Sequence, residues 1–95
     1  MSHPAGALLR HRKDVEFVEA DVEIGFSLVD MAESESSAGN RLLAARVLQD
    51  ADGVFQDIER RLERAGPRER GPFVPLVEEL RRVMDRAKVE ILREG

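Results

Sequence analysis

At 95 residues, with 42% hydrophobic and 36% charged positions, the chain has the size and composition of one soluble helical domain rather than a disordered segment. The absence of cysteine excludes a disulfide framework, a thiolate metal site and a cysteine nucleophile, and the two histidines, His3 and His11, lie too near the N-terminus to form a zinc set on the helices. A formal charge of −4 with mixed signs argues against a general nucleic-acid binder, and no apolar run approaches a membrane span or a signal-peptide core, so cytoplasm is the expected location.

Residues 1–13 contain Pro4, Gly6 and the basic run Arg10, His11, Arg12, Lys13, and read as a flexible N-terminal arm with one helical turn at Ala7–Leu9. The basic run could hold an anion, but a solvated tail is the simpler reading. Residues 14–95 then form a single three-helix domain, with helices over about 14–36, 40–65 and 73–93. Arg far outnumbers Lys, as in proteins from GC-rich bacterial genomes.

The first helix is expected to start at Asp14, a plausible N-cap, and to stop in the Ser-Glu-Ser-Ser-Ala-Gly-Asn stretch ending at Asn40. It carries two apolar stripes. Val15, Val18, Val22, Gly25 and Val29, joined by Phe26, make one; Phe17, Ala20, Ile24, Leu28 and Met31 make the other. At about 100° per residue they span roughly 240° of arc, interrupted by Asp21, more than a helix with two neighbours needs. The surplus predicts a contact with a second copy, and Val15, Val18, Val22 and Val29 are the candidate dimer face. Asp21 reads as a rim position or as a partner for Arg46 or Arg86.

The second helix is the most regular. Ala44, Leu48, Ala51, Phe55, Ile58 and Leu62 alternate in spacings of four and three, with Leu43, Val47 and Val54 widening the stripe to roughly 140°. Asp57 and Arg61 are spaced as an i,i+4 pair, and Gly53 falls on the polar side. The break from Gly66 to Pro72 has Gly66 suited to a left-handed cap and Pro67 unable to continue the helix. The third helix starts at Pro72 or Pro75. Its stripe is Phe73, Val77, Leu80, Met84, Ala87 and Ile91, flanked by Leu76 and Val83, with Glu78–Arg82 and Arg86–Glu90 as solvent-side pairs. The expected fold is all-α, an antiparallel three-helix bundle of up-down-up topology.

Catalytic arrangements are hard to find. Glu16, Glu19, Glu23 and Asp30 share the polar strip of the first helix, but no histidine follows them at the spacing of di-iron bundles, and they point away from the apolar arc. His11 precedes the helix and is misplaced for phosphotransfer. Ser34, Ser36 and Ser37 have no base near them in sequence and read as turn residues. No phosphate-binding glycine loop occurs. A non-enzymatic protein without cofactor or metal is the expectation.

Leu28, Met31 and Ala32, the turn glycine Gly39, and Ala44, Leu48 and Ala51 resemble the small-and-large pattern of a tetratricopeptide hairpin. Leu28 and Glu35 stand where that family has aromatics, and the closing proline is missing because the second helix runs past Gln56. A single such hairpin closed by a third helix is similar to the microtubule-interacting and trafficking (MIT) domain. Met84-Asp85-Arg86-Ala87-Lys88 followed by Ile91-Leu92 looks like the end of that family. The resemblance implies an interaction or adaptor module that docks a protein or peptide segment in an interhelical groove. It places the groove between the second and third helices, flanked by Val47, Val54, Leu76 and Val83. A homodimer through the surplus of the first helix is the alternative.

Overall fold

A computed structural model of the chain describes the backbone of residues 4–93 and the side chains of residues 17–93. Those residues are helical almost throughout, with no strand among them. The elements are α1 (Pro4–Ser37), α2 (Arg41–Arg64), a single turn α3 (Pro67–Arg70), a 3-10 turn (Gly71–Phe73) and α4 (Val74–Leu92). The body measures 60 × 19 × 15 Å.

Helix α1 starts ten residues before the Asp14 expected from the sequence, and Asp14 lies inside it. Pro4 is pre-shaped for a first helical position, and Ala5, Ala7, Leu8, Leu9 and Arg10 are strong helix formers. Residues 1–3, part of the expected arm, lie outside the described residues.

The reversal from α1 to α2 is compact. The Asn40 N–H donates to the Glu35 carbonyl at 2.8 Å, and the Gly39 N–H donates to the Ser36 carbonyl at 3.1 Å. Together these are the paired bonds of a Schellman cap, with Gly39 in the left-handed conformation at φ 88°. The hydrophobic contact that often accompanies this cap is replaced by a polar one, the Asn40 amide Nδ2 donating to Glu35 Oε2 at 2.8 Å.

After α2 the chain behaves differently from expectation. Gly66 is extended, at φ −71° and ψ 164°, and not left-handed. Pro67 is the reason, because its ring clashes with a helical conformation in the preceding residue. Pro67 then opens α3, and Pro75 occupies the first turn of α4.

One core joins the three long helices. From α1 come Val18, Val22, Val29 and Ala32; from α2 Ala44, Val47, Leu48, Ala51, Phe55, Ile58 and Leu62; from α4 Val77, Leu80, Met84, Ala87 and Ile91. Each fully buried Leu, Ile or Met contributes about 2 kcal/mol through removal from water. The α1–α4 contact closes at Gly25, which is buried under Leu80; a Cβ there would sit 2.8 Å from a Leu80 methyl.

Polar contacts tie the helices at their edges. Arg81 reaches Glu59 at 3.0 Å and Lys88 reaches Asp52 at 2.9 Å, so residue numbers fall on α4 as they rise on α2. Asp21 pairs with Arg61 at 3.5 Å, not with Arg46 or Arg86. Asp57, left by Arg61, takes Arg60 at 3.1 Å, and Arg82 turns to Glu79 at 2.7 Å instead of Glu78. These are half-exposed pairs of small energetic weight. Their value lies in marking the register.

Two glycines on the hairpin give opposite expectations. Gly53 is exposed in the middle of α2 with nothing near its missing side chain. Gly53→Ala is expected to raise unfolding free energy by about 1 kcal/mol through helix propensity alone. Gly39→Ala meets no clash but must hold a positive φ, and is expected to lower stability by about 1 kcal/mol. Urea titrations of the two variants beside the parent check both signs.

Candidate interaction surface

The two apolar rows of α1 are offset by a single residue, and the structure separates them sharply. Val18, Val22 and Val29 are 1%, 4% and 1% exposed, whereas Phe17, Ile24 and Met31 are 53%, 48% and 52% exposed. Ala20 is exposed beside the outer row, and Leu28 lies half-buried at the border. The candidate dimer face Val18, Val22 and Val29 is therefore core in the single chain, and the side chain of Val15 lies outside the described residues. The surplus of apolar arc is present, but on the other row.

Side-chain volume explains the choice. The inner row holds Val, Gly and Ala, so α2 and α4 approach α1 closely, with Leu80 seated on Gly25. Phe17, Ile24 and Met31 carry too much volume for that position, since overpacking a closed core costs about 1–3 kcal/mol. Buried Gly25 is the signal in the sequence that distinguishes the rows.

Three properties define the outer row as a surface. First, Phe17, Ile24 and Met31 recur every seven residues, nearly two helical turns, which aligns them along one side of α1. Second, Phe17 is held in place from α2: the Arg61 guanidinium carbon lies 4.8 Å from its ring centroid while Nε of the same side chain reaches Asp21. A cation over a half-exposed ring contributes about 0.5–1 kcal/mol. Third, the charge that α1 itself supplies beside the row has one sign. Between Asp14 and Asn40 the chain has eight Asp and Glu and no Lys or Arg. Glu23 and Asp30, each one residue before a member of the row, are exposed along one edge, while Asp21 and Glu35, each four residues after one, are engaged by Arg61 and Asn40 on the other.

The expected partner groove is not assembled from the residues assigned to it. Val47 is buried, Val54 and Val83 are half-buried against the core, and Leu76 is exposed. A groove of about 330 Å3 does lie between α2 and α4, lined instead by Ala45, Leu48, Gln49, Asp52, Lys88 and Leu92. The Asp52–Lys88 ion pair crosses its wall. A shallower concavity at the hairpin turn is formed by Gly39–Leu43.

Among the described residues, no group of three or more His, Cys, Asp or Glu is arranged to hold a metal ion, and no helix is long and apolar enough to cross a membrane. No protein-family model, curated protein or solved structure matches the chain.

The two rows of α1 respond differently to a polar substitution. Val22→Ser is expected to cost at least about 2 kcal/mol, from a lost buried side chain and a hydroxyl placed in the core. Ile24→Ser, two positions on, is expected to change stability by no more than about 0.5 kcal/mol. Thermal melts of both variants give the comparison; equal losses show that the outer row is also core.

Proposed function

We propose that this protein is a non-enzymatic interaction module, an antiparallel up-down-up three-helix bundle that docks a segment of another protein on α1. The single observation that carries this reading is the exposed row Phe17, Ile24 and Met31. The descending register of the Arg81–Glu59 and Lys88–Asp52 pairs supports the bundle topology. The tetratricopeptide-like hairpin with an MIT-like third helix is part of the same reading, on the residues already given for it.

A partner helix with anchors at i, i+3, i+4 and i+7 suits a straight helical row better than it suits the small α2–α4 groove.

Self-association through the same row is the second reading. The seven-residue spacing of Phe17, Ile24 and Met31 favours it, being the repeat of a coiled-coil seam.

Affinity capture from cell extract with the parent, the Ile24→Ser/Met31→Ser variant and the Leu92→Ser variant tests the docking site. The expected result is a set of proteins retained by the parent and by Leu92→Ser and lost by the α1 variant, whose circular dichroism melt matches the parent. Identical sets from all three proteins count against α1, and loss only with Leu92→Ser moves the site to the α2–α4 groove.

A further inference from the structure

We infer that the occupant of the α1 face is an amphipathic helix whose apolar seam is flanked by Lys or Arg, and that it is not a second copy of this chain. The inference rests on the reading of α1 as a docking surface and adds the chemistry of what docks there.

The argument is one of charge geometry. A helix lying on Phe17, Ile24 and Met31 brings its own flanks within reach of the residues beside the row. On one side these are Glu23 and Asp30, both exposed. Neither has an ion-pair partner among the described residues, whereas Asp21 on the opposite side is already engaged by Arg61. Docking partly desolvates such carboxylates, which is costly for an unpaired charge and favourable when a cation arrives with the partner. A neutral or acidic helix leaves that cost standing.

A second copy brings the wrong charges. In an antiparallel pair of α1 helices, like flanks meet, setting Glu23 and Asp30 against themselves. In a parallel pair that edge meets the flank bearing Asp21 and Glu35. Between Asp14 and Asn40 there is no cation to relieve either arrangement. The same sign disfavours an anionic lipid surface, which attracts basic amphipathic helices.

The test uses two three-heptad peptides with the same leucine seam, one flanked by lysine and the other by glutamate. Their binding to the full chain is followed by fluorescence anisotropy at low and high salt. The lysine peptide is expected to bind at least about tenfold more tightly than its glutamate isomer, with the difference shrinking as salt rises. Ile24→Ser is expected to weaken it by a similar factor, and the Glu23→Lys/Asp30→Lys variant to reverse the preference. Equal affinities for the two peptides overturn the inference but leave docking on α1 standing, provided Ile24→Ser weakens both. Absence of binding by either peptide overturns the inference; if the extract experiment also shows no α1-dependent partner, the docking reading falls with it. Binding lost with Leu92→Ser but kept with Ile24→Ser places the occupant in the α2–α4 groove and overturns the α1 assignment. Sedimentation of the chain alone covers the remaining case: a dimer dispersed by Ile24→Ser, or by Arg12→Glu/Lys13→Glu, identifies the occupant as a second copy and overturns it.

Discussion

The seating of Leu80 on Gly25 is the contact from which the rest of the structure follows. It sets how near α4 comes to α1, and it selects which of two similar apolar rows faces inward. The hydrophobicity of the rows does not separate them: one offers Val18, Val22 and Val29, the other Phe17, Ile24 and Met31. Volume does. A core of this kind is packed like a crystal, so with Leu80 Cδ2 2.8 Å from the missing Cβ of Gly25, any side chain there requires the buried Leu80 to shift. Once Gly25 is fixed inward, Val18, Val22, Val29 and Ala32 follow by helical geometry. Phe17, Ile24 and Met31 are left outside.

Much of this was legible in the sequence, and the illegible part has a common cause. The stripe of α2 from Ala44 to Leu62 is buried at every position read from its spacing, and α4 is buried from Val77 to Ile91 in the same way. Single amphipathic helices announce their inner face because polar residues occupy the outer one. On α1 both rows are apolar, so periodicity alone does not rank them. The groove residues failed for a related reason. Val47, Val54 and Val83 sit at the border of their stripes, where one helical step decides between burial and exposure. Local chemistry was misread where a neighbour intervened: Pro67 extends Gly66, and Arg61 leaves Asp57 for Asp21 across the helix pair.

Separating the rows also separates two tasks. Residues that hold the helices together and residues available to a partner alternate along one helix, at 17 and 18, 24 and 25, 31 and 32. Substitutions on the outer row and its acidic edge touch neither Leu80 nor the α2 stripe. The outer row can therefore change in sequence while the core stays fixed, and Arg61 links the two through its ion pair to Asp21 and its contact with Phe17.

The Gly39 turn bears on how the chain reaches this state. A reversal closed by two backbone hydrogen bonds costs little loop-closure entropy and makes the α1–α2 pairing about as local as contact between two long helices permits. Chains dominated by such contacts fold among the fastest, in about microseconds to milliseconds. Helix α4 has a longer path, through Ala65 and the two short turns that follow it, before Leu80 meets Gly25. Hairpin first and α4 second is the order this topology favours, with the arrival of Leu80 at Gly25 fixing which row of α1 stays inward.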